Sequence, residues 1–154
     1  MIKAGERAPE FTLPDDTGKD RSLTELLSAG AMILYFYPAD FTPGCTRQAC
    51  LLRDLHAEIE RAGLRAVGIS PQSPESHAKF KVKYKLPFVL LSDEQKTVIK
   101  MYAVNGPLGI GVRRATYLID GSRRIRDALL ADFRISRHLD FVRKAIMLRA
   151  TAIP

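Results

Sequence analysis

The chain has no tryptophan, only two cysteines and three histidines, and no apolar run approaching membrane-spanning length. Each shortage excludes something. A transmembrane helix needs at least about 18 nearly uninterrupted apolar residues, and the run "AMILYFY" (31–37) falls far short of that. His56, His77 and His138 form no HExxH pattern and pair with neither cysteine at metal-ligand spacing. They read as surface or helix-face residues, and no metal is expected. Two cysteines are too few for a disulfide-dense secreted scaffold. The N-terminus "MIKAGERAPEF" has no apolar core of the kind a secretory signal carries, so a cytoplasmic location is expected. The six-residue stretch "GPLGIG" (106–111) is not the GxGxxG of a dinucleotide site, so no nucleotide cofactor is expected either.

Acidic residues are also outnumbered, 17 against 24 Lys and Arg, for a net charge of +7. Part of the excess is local. Between Ser122 and Arg149 lie Arg123, Arg124, Arg126, Arg134, Arg137, Arg143, Lys144 and Arg149, against Asp127, Asp132 and Asp140. No nucleic-acid motif or stacking-aromatic pattern accompanies them, so they read as a solvated face. What remains is ordinary: 154 residues, 46% hydrophobic and 27% charged, the profile of a soluble globular protein. One domain spanning 1–154 is expected.

Five apolar runs read as strands: 31–37, 64–70, 88–91, 115–120 and, more weakly, 123–130. Helical signals lie between them. "SLTE" (22–25) is a capping box. From Cys45 to Ala62, Leu51, Leu52, Leu55 and Ile59 recur at helical spacing, and Gly63 supplies a stop. Ser73-Pro74 pairs a cap with a first-turn proline. "SDEQ" (92–95) reads as a second capping box, and Ser136 as the cap of a last helix ending near Arg149. "KFKVKYKL" (79–86) alternates like a strand, yet the upstream cap and the Leu86-Pro87 break favour helix. The order predicts an α/β protein with a mixed sheet flanked by helices, built around a βαβ unit over 31–70.

The two cysteines share the segment "FTPGCTRQAC" (41–50), just behind the first long strand. This is neither a zinc spacing nor a CxxC dithiol. Cys45 falls in the first turn of a helix, beyond the carboxyl end of a sheet strand, where open α/β sheets bind ligands. Helix N–H groups and the macrodipole there favour a thiolate. Pro38 and Pro43 stiffen the loop and leave the main-chain donors of Gly44 and Cys45 free, and Thr42 is placed to donate its hydroxyl into the same pocket. A buried, inert Cys45 fits the bare position as well.

The stretch "YPADFTPGCTRQAC" resembles the peroxiredoxin signature Pro-x-x-x-Thr-x-x-Cys, here Pro38, Thr42 and Cys45. With a second cysteine five residues on, it is similar to the peroxiredoxin Q subgroup, also called bacterioferritin comigratory protein. "GERAPEFTLPDDTG" at the start, "LLSDE" (90–94) and "RRATYLID" (113–120) extend the likeness along nearly the whole chain. The resemblance implies a thioredoxin-like fold, reduction of hydrogen peroxide and organic hydroperoxides, no cofactor, a monomer, and thioredoxin or glutaredoxin as reductant, with no nucleic-acid or membrane partner. It implies Cys45 as peroxidatic and Cys50 as resolving cysteine, joined in a disulfide during turnover. It also implies Thr42 holding peroxide and thiolate, Pro38 shielding them from water, Arg114 rather than Arg113 beside the sulfur, and Gln48 orienting Arg114. Phe41 departs from the family, where many members have a polar residue. In a regular helix, Cα atoms five residues apart lie about 8.6 Å from each other, beyond the roughly 4.4–6.8 Å of a disulfide. A Cys45–Cys50 bond therefore requires the helix to open.

Overall fold

The structure is a computed structural model describing residues 1–151. In chain order the elements are β1 (Thr12–Pro14), β2 (Asp20–Ser22), α1 (Leu23–Leu27), β3 (Met32–Phe36), α2 (Pro43–Asp54), α3 (His56–Arg61), β4 (Arg65–Ser70), α4 (Pro74–Tyr84), β5 (Val89–Ser92), α5 (Thr97–Met101), β6 (Ala115–Ile119), β7 (Ile125–Leu130) and α6 (Ile135–Thr151). Five strands form one sheet in the order β5-β4-β3-β6-β7, and β1 and β2 form a separate hairpin. β3 is parallel to β4, and β4 to β5, whereas β6 runs antiparallel to both β3 and β7. This is the expected mixed sheet flanked by helices.

Every residue of β3 and β6 is buried, because helices or loops cover both faces of the sheet. The period-two alternation of β3 divides the core. Met32, Leu34 and Phe36 join Leu23, Leu26 and Leu27 of α1 and Val98 and Ile99 of α5. Ile33, Tyr35 and Tyr37 join Ala49 and Leu52 of α2, Phe80 of α4, and Phe141, Val142 and Ala145 of α6. At about 1.5–3 kcal/mol per fully buried large apolar side chain, α2 is anchored chiefly by its middle and end. Its first turn contributes only Cys45 to that cluster.

Several boundaries differ from expectation. The helix expected over 45–62 begins at Pro43 and is two helices, broken at Leu55, whose φ of −93° and ψ of 2° leave the helical range. The Leu55 N–H is shared between the Leu51 and Leu52 carbonyls, both at 3.2 Å, a tightened last turn. The apolar spacing runs on across this break, so periodicity could not reveal it. "SDEQ" caps no helix. Ser92 ends β5, Lys96 turns left-handed at φ 58°, and the Asp93 carboxylate accepts from the N–H of Ile99 at 2.7 Å inside α5. α6 starts at Ile135, so Ser136 lies within its first turn rather than capping it. The β1–β2 hairpin was not expected. The Ser22 and Ser73 caps hold: each hydroxyl accepts from the N–H three residues on. Among the described residues no helix is long and apolar enough to cross a membrane.

Candidate active site

The chain leaves the sheet at Pro38 and re-enters regular structure at α2. Pro43 occupies the first helical turn, where a missing N–H costs nothing. Cys45 follows within that turn, only 2% exposed. Cys50 is half-buried farther along the same helix, and both thiols are free. Thr42 lines the same cleft as Cys45. Its hydroxyl donates backwards to the Ala39 carbonyl at 2.8 Å, and the helix has no side-chain cap. The first N–H groups of a helix have no upstream carbonyl to bond, and here no side-chain oxygen caps them.

The sheet register brings the second half of the site. Because β6 is antiparallel to β3, with Ala115 opposite Phe36, the preceding residue Arg114 falls beside the exit of β3. Arg114 is 6% exposed and held at several points. Its Nη2 donates to Cys45 Sγ at 3.4 Å and its Nη1 to Gln48 Oε1 at 2.7 Å. Its Nε donates to the Asp132 carbonyl at 3.3 Å, and its main-chain N–H to Asp132 Oδ1 at 3.1 Å. Arg113 points away, with its Nε on Asp132 Oδ2 at 2.8 Å and its side chain 40% exposed. The sulfur thus lies against one arm of a clamped guanidinium. Gly44 makes the approach possible: a Cβ there would stand 3.2 Å from Arg114 Nη2.

Of the three histidines, expected as surface or helix-face residues, His77 on α4 and His138 on α6 lie on helix faces that are buried. His77 is fully buried, with Nδ1 2.7 Å from Asp40 Oδ2 and Nε2 3.0 Å from the Leu91 carbonyl. Asp40 also accepts from the Tyr37 hydroxyl at 2.6 Å and the Ser76 hydroxyl at 2.8 Å. Burial pushes the Tyr37 phenol well above its ordinary pKa, so it stays a donor. His138 is buried on α6. Its Nε2 lies 2.8 Å from the Ala131 carbonyl and its Nδ1 2.7 Å from Thr116 Oγ1. Burial lowers its pKa, outweighing the bond to Ala131. The neutral ring therefore donates to Ala131 and accepts from Thr116, bracing the turn that carries Asp132. Only His56 sits at the surface, paired with Glu60. The basic residues toward the C-terminus are partly paired, Arg126 with Asp120 and Lys144 with Asp127.

Access to Cys45 is through a cleft of about 540 Å³, lined among others by Pro38, Arg114, Ile110, Val112, Phe133 and Ile135. The glycine-rich loop folds tightly over one side, and a side chain at Gly106 would overlap the Ile110 carbonyl. Ile110 and Phe133 are both strongly exposed, giving the mouth an apolar rim.

With this geometry in place, the comparisons with known proteins agree. The AhpC/TSA family model matches residues 4–128. The peroxiredoxin bcp of Coxiella burnetii is 46% identical over 125 residues, covering 77% of this chain and 82% of that protein. Chloroplastic peroxiredoxin Q of Gentiana triflora is 40% identical over 140 residues, covering 90% of this chain and 64% of the plant protein. The crystal structure of peroxidoxin BcpB from Mycobacterium tuberculosis superposes with a TM-score of 0.90 at 38% identity over the full length of both chains. The bacterioferritin comigratory protein of Xanthomonas campestris does so at 0.83 and 26% identity, over 92% of each. The chain thus belongs to the AhpC/TSA family, as a peroxidase of its bacterioferritin comigratory protein and peroxiredoxin Q branch.

Proposed function

We propose that Cys45 is the peroxidatic nucleophile of this peroxiredoxin and Cys50 its resolving partner. The observation that carries the reading is the Arg114 guanidinium, donating to Cys45 Sγ at 3.4 Å while Gln48 fixes its other arm. The Cys45 thiolate attacks one oxygen of a hydroperoxide. The O–O bond breaks, the attacked oxygen stays on sulfur as a sulfenic acid, and the other leaves as alkoxide or hydroxide and takes up a proton. Arg114 cannot lose its charge and offers several donors in a rigid fork, so it serves the sulfur and the departing oxygen together. The open N–H groups of α2 reinforce it. The Cys50 thiolate then attacks the sulfenic sulfur, expelling the oxygen as water and forming a disulfide. An external dithiol of the thioredoxin or glutaredoxin class returns both thiols.

The apolar rim suits the carbon tail of an organic hydroperoxide, while hydrogen peroxide needs only the polar end of the cleft. The Xanthomonas relative is described for alkyl peroxide reduction activity. Cys45 and Cys50 lie in one uninterrupted helix, so the disulfide requires α2 to open, most readily over its weakly anchored first turns. The whole chain acts as one domain and as a cytoplasmic monomer in this reading, with Ala8 and Phe11 near the start already part of the core. Steady-state turnover of hydrogen peroxide and an alkyl hydroperoxide, with thioredoxin and with glutaredoxin, tests it. Cys45→Ser should abolish consumption. If it retains more than about a hundredth of the rate, the assignment is wrong. Amide exchange should lose protection across roughly 44–52 on oxidation and keep it in the central strands.

A further inference from the structure

Phe41 stands at the junction of two segments with opposite demands. Upstream, residues 38–40 are stapled down. Gln72 accepts the Asp40 N–H at 3.0 Å and donates to the Pro38 carbonyl at 3.3 Å. The buried Asp40 carboxylate holds Tyr37, Ser76 and His77. Downstream, α2 has to open if its two cysteines are to meet. Phe41 itself has φ 67°, a left-handed conformation that bulky residues avoid. Its ring is 43% exposed, so the core does not require it. What it touches is α4. The ring meets Phe80 edge-on at 5.1 Å between centroids and Tyr84 at 6.4 Å, and the Lys83 ammonium lies 5.9 Å from its centroid. Phe80 is fully buried, so these contacts tie the start of α2 to the rigid body of the protein.

We infer that Phe41 is a positioning residue, an aromatic latch that holds the first turn of α2 closed and so slows capture of the Cys45 sulfenic acid by Cys50. The inference rests on the proposal above that these cysteines form a disulfide by opening α2. With 38–40 pinned, Phe41 is the first backbone rotor after the pinned segment, and turning it also breaks the Thr42–Ala39 bond that spans it. Turning it out of the left-handed region swings the ring off Phe80 and Tyr84, so opening loses those contacts and closing restores them. The latch lengthens the life of the sulfenic acid. A second hydroperoxide molecule then has more time to carry it to the sulfinic acid, with the peroxide reduced to alcohol or water in that step. Phe41 thereby sets the balance between resolution and overoxidation.

Rapid-quench oxidation with one equivalent of hydrogen peroxide, followed by thiol alkylation and intact mass, reads the resolving step directly. Phe41→Asn removes the ring but leaves a residue that tolerates the left-handed conformation. It should form the disulfide about tenfold faster, the weight of one aromatic contact. The peroxide concentration that overoxidises half of the enzyme during turnover should rise by a similar factor. Phe41→Tyr keeps the ring and should resolve within about twofold of wild type. The bimolecular oxidation of Cys45 should change little in either variant, because Phe41 does not line the cleft. Wild-type resolution in Phe41→Asn, or equal shifts in the Asn and Tyr variants, overturns the latch. Should Phe41→Asn fail to fold, Tyr84→Ser removes the facing ring. It should speed resolution about threefold, and an unchanged rate there overturns the latch equally. A wild-type protein that never loses water from its sulfenic acid overturns the disulfide reading and the latch together, whereas a wild type that does, with an unresponsive Phe41, overturns the latch alone.

Discussion

Arg114→Ala is the perturbation on which the site's electrostatics depend most. The guanidinium lies 3.4 Å from Cys45 Sγ. At an effective dielectric of about 20, a full charge at that distance attracts a thiolate by about 5 kcal/mol. Water entering the vacated space and the helix N-terminus would recover part of this. The share specific to the transition state is that of one preorganised donor, about 2.7–4 kcal/mol, or about 10²–10³ in rate. The second-order rate constant for peroxide at low concentration should fall by that factor, and alkylation of Cys45 at neutral pH should slow. Arg113→Ala is the control. Arg113 makes only a half-exposed ion pair with Asp132, a contact of about 0–1 kcal/mol, so its loss should change the rate by less than about fivefold. Gln48→Ala removes the acceptor that fixes Nη1 at 2.7 Å and should cost about tenfold, one hydrogen bond to a charged group. Equal losses from Arg113→Ala and Arg114→Ala, with both variants folded, would refute the reasoning.

Cys50→Ser should consume about one equivalent of peroxide, stall as sulfenic acid and overoxidise readily; sustained turnover without added thiol would count against Cys50 as the resolving group. Gly44→Ala should raise helix stability by up to about 1 kcal/mol yet lower the peroxide rate about tenfold by displacing Arg114 a few tenths of an ångström. Thermal melts and kinetics moving in opposite directions are the signature, and an unchanged rate would show that the close approach does not matter. Asp120 titrates at about 2 against an ordinary 3.8: burial alone would raise it, but bonds from Ser122, the Arg124 N–H and Arg126 outweigh burial. Since the folded value is the lower one, its stabilisation is present above about pH 4 and lost as pH falls toward about 2. Asp120→Asn should destabilise by about 1 kcal/mol at neutral pH, because solvent screens the largely exposed Arg126, and flatten the acid limb of the stability curve; a parallel shift of the whole curve would argue otherwise.

What the sequence revealed and what it hid follow a physical line. The place of Cys45 in the first turn of a helix was legible because such signals are local, whereas the roles expected of Gln48 and Cys50 came from the family likeness. Arg114 is 69 residues from Cys45, and only the β3–β6 register places them together, so it came from the family likeness rather than from pattern. The burial of the histidines went unread for the same reason. A lone histidine on a helix looks the same whether its face meets solvent or sheet, and the acceptors that bury His77 and His138 come from Asp40, Leu91 and Ala131, none of them local enough to predict. The bond of the Thr42 hydroxyl to the Ala39 carbonyl could not be read ahead, because rotamer choice leaves no trace in a sequence. The short strands β1 and β2, with Pro14 and Asp20 within them, carry no alternation to detect.

The site joins a rigid half to a loose one. Arg114 is clamped by Asp132 and sits at the edge of the fully buried strand β6. Cys45 rides on the one part of α2 with little apolar anchorage, since Ala49 and Leu52 secure the helix farther along. In the proposed cycle, attraction between the guanidinium and a Cys45 thiolate supplements that weak anchorage before oxidation. Under the proposed cycle the thiolate becomes a neutral sulfenic acid, and the ion–ion attraction falls to an ion–dipole contact. The chemistry itself therefore releases one of the restraints on α2, at the moment when Cys50 must approach. The remaining restraints, the bond from Arg114 to Gln48 and the Phe41 contacts with α4, carry no charge change on oxidation. They set how fast the helix opens once the electrostatic restraint is gone.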